Sequence, residues 1–315
     1  MHRYQSFVHI CVFVFIVLIA FNDDYNPFMM NEAETFSNTV IKSEDSLYQE
    51  IKAKRDKYSK PPVNAYIDRV WKKTPGLNGI QVNVDKSYEQ MKETGEFDKT
   101  LLVYEQIPPK KTLDELPAAP IYRGNPKKNM VAFLINVSWG TEHIPEILTI
   151  LKKHNVKATF FIEGKWAQEN SDYVKMIDEQ DHVIGNHAYS HPDMANLSKS
   201  QANEQIKRTN EILKAITGKT PKWFAPPSGS FNDQVVQTAD MLKMETILWT
   251  VDTIDWKNPT VSVMMNRVMG DIHPGATILM HPTTSIVNGL DKLIENIKKR
   301  GYRIGTVPML MSAKR

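Results

Sequence analysis

Cysteine is almost missing: the 315 residues contain one, Cys11, and it lies inside an apolar run near the N-terminus. The chain beyond that run has no thiol to pair, ligate a metal or attack a substrate. A disulfide-stapled secreted domain is thereby excluded, and a chain of this length buries enough surface to fold without staples. An excess of either charge is lacking too. Lys and Arg total 39 against 36 Asp and Glu, a formal net charge of +3. With no block of Lys or Arg, that balance does not indicate a nucleic-acid partner. Internal repeats are absent beyond a strand–helix alternation, and long hydrophobic runs are limited to one.

That run, residues 7–21, is nearly all apolar and follows His2 and Arg3, the order of charged and hydrophobic regions in a secretory signal. It is shorter than the roughly 20 residues a spanning helix needs. No Ala-x-Ala cleavage site follows, since Ala20 leads into Phe21, Asn22 and Asp23. Residues 1–22 are therefore read as a signal peptide or a membrane anchor. The rest is then expected on the extracellular face of the cell membrane or in the cell wall, anchored or secreted.

Residues 23–62 are polar and charge-rich, ending in Lys60, Pro61 and Pro62, and read as a stalk with one exposed helix near 45–57. Residues 63–107 read as a small α+β domain. Its expected elements are a helix over Ala65–Trp71, a strand over Ile80–Val84, a helix near Tyr88–Lys92 and a strand over Leu101–Tyr104. Five prolines and several lysines make 108–128 a linker. From 129 to 312 short apolar runs recur at 130–136, 157–162, 182–186, 222–226, 245–251, 276–280 and 302–307, with helical periods between them. Ile144, Ile147, Leu148 and Leu151 form one helical stripe. Ser198 with Gln201 makes a capping box, and Gly218 supplies a stop. Continuous apolar strands alternating with helices imply a parallel sheet covered on both faces, and seven such units suggest a barrel.

A barrel of this kind places its active site at the carboxyl ends of its strands. Those ends carry Asn136–Gly140, His187–His191, Ala225–Gly229, Asp252–Trp256 and Leu279–His281, where polar and aromatic residues concentrate. His187 and His191 are four apart, a spacing that lets two imidazoles meet one metal. The alternative is a pair that only hydrogen-bonds loop backbone.

The segments N-H-A-Y-S-H-P, A-P-P-S-G, V-D-T-I-D-W and I-L-M-H resemble, in order and spacing, motifs two to five of the NodB-like polysaccharide deacetylases, carbohydrate esterase family 4. I-N-V-S-W-G resembles motif one of the branch found in spore-forming bacilli, usually T-F-D-x-S-W-G. The resemblance covers about 180 residues and implies an α/β fold: a distorted (β/α)7 barrel of the NodB-homology type. A small α+β domain and the N-terminal hydrophobic segment precede it.

It also implies metal-assisted hydrolysis of the amide of an N-acetylated sugar, with an Asp taking a proton from water and a His protonating the departing amine. By resemblance His187 and His191 are metal ligands, His281 is the general acid and Asp255 orients it. Leu279, Trp256, Pro226, Pro227, Ser228 and Trp139 line the substrate pocket, and a divalent metal, zinc, is the implied cofactor.

The departures are as specific as the matches. The base position holds Asn136, whose amide has no carboxylate to accept a proton. The metal-binding Asp beside it is Val137, the motif-three Arg is Ala225, and the motif-three Tyr is Ser228. Losing the Arg together with its partner makes physical sense, because an Arg beside a neutral Asn would be a buried charge without compensation. Metal binding is then expected to be weak or absent.

The resulting expectation is a monomeric, membrane-associated polysaccharide deacetylase-like protein acting on or near N-acetylated wall glycan, peptidoglycan or chitooligosaccharide, with catalysis lost or strongly impaired. The alternative is an active metal-dependent N-deacetylase with a repositioned base, such as Asp252 or Asp255. A metal-dependent esterase acting on small acetyl esters is a third reading.

Overall fold

The computed structural model describes residues 45–315, so the expected signal or anchor and the first part of the stalk lie outside the described residues. Among the described residues no helix is long and apolar enough to cross a membrane. They divide into two compact units, one of residues 45–59 and 81–105, the other of 60–80 and 106–315.

In the first unit, helix α1 (Ser46–Tyr58) begins where the Asp45 carboxylate accepts hydrogen bonds from the N–H groups of Leu47 and Tyr48. Helix α2 (Val84–Met91) is capped in the same way by Asn83. The expected exposed helix near 45–57 is thus present, but it is not wholly exposed. Leu47 and Ile51, one turn apart, are buried with Val82, Met91 and Leu102 in this unit's own core.

The second unit opens with strands β1 (Tyr66–Asp68) and β2 (Lys72–Thr74), an antiparallel pair. A helix over Ala65–Trp71 does not form. The Asp68 side chain instead accepts from the N–H groups of Val70 and Trp71, 2.8 Å each, and closes a turn. A short acidic side chain that captures nearby amides in this way competes directly with helix. Strands β3 (Gly79–Val82) and β4 (Tyr104–Ile107) carry the chain between the units. β4 starts at the residue where the expected strand Leu101–Tyr104 was to end, because Asp98 caps a 3-10 turn over Lys99–Leu101.

An eight-stranded sheet follows: β5 (Met130–Val137), β6 (Thr159–Ile162), β7 (Val183–Asn186), β8 (Trp223–Phe224), β9 (Glu245–Thr246), β10 (Val251–Asp252), β11 (Thr277–Met280) and β12 (Arg303–Gly305). All its pairings are parallel, in the order β10-β11-β5-β6-β7-β8-β9, with β12 beside the first residues of β5. This is the curled sheet of a distorted (β/α) barrel. The run 245–251 forms two short strands rather than one, so the sheet's edges, β9 and β10, are consecutive in the chain and leave a seam.

Residues 108–128 help to fill that seam. Ile121 is fully buried, its N–H donates to Thr246 O and its carbonyl accepts from Leu248 N, while Tyr122 O accepts from Thr277 Oγ1 on β11. The segment read as a linker therefore contributes to the core of this unit. Its proline content reflects an extended path with few donors to satisfy.

Alternation along β5 assigns the two faces. Met130, Ala132 and Leu134 point inward and pack with Phe161, Ala225, Ile247, Val307 and Leu310. Val131, Phe133, Ile135 and Val137 point outward to the helices. Each such burial contributes roughly 1.5–3 kcal/mol for a large side chain.

The covering helices are α3 (Ile144–Lys153), α4 (Gly164–Glu169), α5 (Ser171–Glu179), α6 (Lys199–Thr217), α7 (Asp233–Met241), α8 (Val261–Asp271), α9 (Thr284–Lys299) and the short α10 (Val307–Met311). The stripe of α3 is buried, and α6 has both the Ser198–Gln201 capping box and the left-handed Gly218 stop. At the chain's end, the N–H of Val307 donates to Thr159 Oγ1 at the start of β6. The buried Lys128 Nζ holds the carbonyls of Met309 and Ser312 at 2.6 and 2.7 Å.

Candidate active site

The carboxyl ends of the strands enclose a cavity of about 340 Å³. β5 delivers Asn136, Ser138 and Trp139 to it, and the loop after β7 delivers His187 and His191. Ser228 follows β8, Trp249 lies between β9 and β10, Asp252 ends β10 and Trp256 follows it, and β11 carries Leu279 with His281 just past its last residue. Of the residues singled out in the sequence, Pro226, Pro227 and Asp255 are not on this wall. The two prolines shape the turn that carries Ser228, and Asp255 stands behind His281.

His187 is buried, with Nδ1 2.7 Å from the backbone carbonyl of Ala225. That carbonyl requires the proton on Nδ1 and leaves a lone pair on Nε2. Because the acceptor is backbone, the arrangement does not depend on the side chain at position 225. Burial, followed by the proximity of His191, pushes the pKa of His187 down to about 3. His191 adopts a left-handed backbone (φ 54°) that turns its ring edge-on to His187, with centroids 5.1 Å apart. Burial lowers its pKa too. Near neutral pH the pair is uncharged.

His281 is held differently. Asp255 is fully buried, and its carboxylate accepts from His281 Nδ1 (3.0 Å), His281 N (2.9 Å), Thr283 Oγ1 (2.9 Å) and Thr253 Oγ1 (2.7 Å). Burial opposes ionisation, but the hydrogen bonds and charge of His281, helped by Thr253, outweigh it and hold the carboxyl below its ordinary value. The imidazole is thereby fixed with Nε2 toward the cavity. Trp139 stacks on its other side, rings 9° from parallel and centroids 6.0 Å apart. Gly140 permits that contact: its φ is +74°, and a Cβ there would lie 2.1 Å from the carbonyl oxygen of Pro282.

At the base position Asn136 is 4% exposed, and its Oδ1 is buried without a hydrogen-bond partner. One strand over, the buried carboxyl of Glu163 is pushed up by burial, with the Ser138 hydroxyl opposing. Sequence reasoning overlooked Glu163 and Trp249. Trp249 was hidden inside an apolar run read as unbroken strand, and Glu163 reads as an ordinary helix-start residue. Ser228 has φ +53°, and its N–H takes no part in the bonds Gly229 N to Pro226 O and Ser230 N to Pro227 O that hold its turn.

The polysaccharide deacetylase family model matches residues 123–247. A peptidoglycan-N-acetylglucosamine deacetylase of Bacillus cereus is 37% identical over 199 residues, 62% of this chain and 72% of that protein. The uncharacterized protein YlxY of Bacillus subtilis (strain 168) is 47% identical over 315 residues, 99% of each chain. Among solved structures, the pseudoenzyme BA3943 of carbohydrate esterase family 4 from Bacillus anthracis superposes with a TM-score of 0.83 at 49% identity. That match covers 86% of this chain and 97% of that one. A mutant of BA3943 described as having restored enzymatic activity aligns with the same TM-score, 0.83. The chain belongs to the polysaccharide deacetylase family, carbohydrate esterase family 4.

Deacetylases of this family are metal-dependent. Here His187 and His191 present two neutral imidazoles, but catalytic zinc takes three protein ligands, and among the described residues no Asp or Glu oxygen completes a close set with them. The one described group of three such side chains is His154, Asp291 and Glu295, away from the cavity, where Lys153 Nζ already sits 2.6 Å from Asp291. The residues present do not make a complete catalytic metal site.

Proposed function

We propose that this protein is an exported, membrane-associated member of the family that binds N-acetylated wall glycan through the cavity around His187 and His281, with hydrolysis lost or strongly reduced. Asn136 carries the reading. A neutral amide occupies the position that motif one gives to the proton-accepting Asp, while His281 and Asp255 remain joined. The likeness to a pseudoenzyme, and the existence of a mutant of it with restored activity, supports the same view. The substrate class comes from the B. cereus relative, named for peptidoglycan N-acetylglucosamine. Trp139 and Trp256, about half-exposed at 46% and 50%, offer faces on which sugar rings stack. Whatever metal the two imidazoles hold, zinc by analogy, is held weakly.

The test is acetate release from N-acetylglucosamine oligomers at saturating metal. The unaltered chain should release little, and Asn136→Asp should raise the rate by part of the roughly 10²–10⁴-fold that general-base assistance supplies. Asn136→Asp with Ala225→Arg should exceed either single change. Turnover of about 1 s⁻¹ or more in the unaltered protein, unimproved by Asn136→Asp, would overturn the reading in favour of an active deacetylase with a repositioned base.

A further inference from the structure

We propose that the amino-terminal end of the barrel holds a second binding cavity, built around His182 and Trp223, that takes an uncharged sugar ring. The cavity encloses about 440 Å³, near the lower end of the roughly 300–1,000 Å³ typical of small-molecule sites. His182 immediately precedes β7 and Trp223 begins β8, whereas His187 follows the last residue of β7. At about 3.3 Å per strand residue, the two histidines are roughly 16 Å apart along the chain. This site and the one around His187 therefore occupy opposite ends of the sheet.

The chemistry follows from His182. It is 4% exposed, yet it lines the cavity. Its Nδ1 accepts the N–H of Ala158 at 3.1 Å, and its ring meets Phe160 edge-on at 5.2 Å. An imidazole that accepts at Nδ1 carries its proton on Nε2, and this donor has no partner among the described residues. The residue is otherwise buried, so its small exposed part, Nε2 included, faces the cavity, where the proton is free to meet an acceptor on a ligand. Burial, followed by the proximity of Lys157, lowers the His182 pKa to about 4, so the donor is neutral at physiological pH.

Charge narrows the ligand class. Lys219 pairs with Asp178 at 2.8 Å, and Asp181 and Lys222 add one charge of each sign. The wall has no net charge with which to hold a phosphate or sulfate. Half-buried Trp223 adds an aromatic surface and Thr220 a hydroxyl. A neutral donor, an indole and balanced polar groups suit a hydroxylated ring with one apolar face, which is a pyranose. The assignment stands independently of the proposed role of the other cavity.

The test is NMR on the full-length chain carrying ¹⁵N-labelled histidine and tryptophan, titrated with the tetramer of N-acetylglucosamine. The His182 ring and Trp223 indole resonances should shift saturably. Thr220→Trp, which fills the cavity from an exposed rim position, should weaken that binding at least about tenfold. Lys219→Tyr serves as a second plug should the first variant not fold. Trp256→Ala, in the other cavity, should leave the His182 and Trp223 shifts intact. The proposal is overturned if these resonances do not move by about 10 mM sugar, a range that captures millimolar contacts. It is equally overturned if they move undiminished in both plugged variants, or lose their shift in Trp256→Ala.

Discussion

Replacing Asp255 probes the His281 arrangement most directly. Four donors converge on its buried carboxylate, two of them from His281 itself. Hydrogen bonds to a charged group contribute roughly 1.5–3 kcal/mol each. In Asp255→Ala the hydroxyls of Thr253 and Thr283 can rotate to other acceptors, but the His281 N–H and Nδ1–H cannot follow. The loss should therefore be about 3–5 kcal/mol rather than the sum of four bonds. Asp255→Asn preserves shape and one acceptor oxygen but turns an NH₂ toward donors, and about half that loss is expected.

The pH dependence has a definite sign. The folded pKa of Asp255 lies below its ordinary value of 3.8. Its contribution is fully present above the unfolded value and disappears as pH falls through the folded one. Urea denaturation at stepped pH should show a constant gap between the unaltered chain and Asp255→Ala from neutrality down to about pH 4, closing below it. A gap under about 0.5 kcal/mol at pH 7, or one that persists unchanged in strong acid, would refute this account.

Gly140→Ala must resolve a 2.1 Å contact at a left-handed position. It should lose about 1–3 kcal/mol of stability and alter Trp139 fluorescence; an unchanged Tm and spectrum would count against the stacked loop. His182, with a folded pKa of about 4 against 6.5, binds fewer protons folded than unfolded between those values, so stability should rise with pH across that window by roughly 3 kcal/mol. His182→Gln should flatten the rise, and an unaltered slope would exclude His182 as its source. Lys73→Met strips Glu245 of its 2.6 Å partner and should cost about 3 kcal/mol. Adding Glu245→Leu should recover most of that loss, as thermal denaturation of both variants would show.

The barrel was legible from residue 129 onward because its signals are local and strong. Runs such as 130–135 and 278–280 are apolar at every position, as strands buried on both faces must be, and Ser198 with Gln201 announces α6. The polar clusters at strand ends were legible for the same reason: each interrupts an apolar run. What failed depended on what particular side chains bond or pack against, which spacing does not reveal. Asp68 captures two amides and makes a turn of a segment with helical spacing. Ile121, one apolar residue among prolines, becomes core only because β9 and β10 leave a seam. Of the two hydroxyls that fasten Asp255, Thr253 is two residues away, but Thr283 is 28 residues on, and no local pattern links it to that carboxylate.

The placing of residues 303–312 has a consequence for how the molecule is made. Val307 reaches the start of β6, β12 lies on the start of β5, and Lys128 grips the carbonyls beyond it. A nascent chain emerging from its N-terminus can assemble β5 to β11 while its inner apolar side chains, Met130 among them, still lack the cover of Val307 and Leu310. The barrel is thus completed only once residues 303–311 have been made and have docked. Until then it presents an open, sticky end to whatever handles newly made chains, and a chain truncated before Val307 would stay that way permanently.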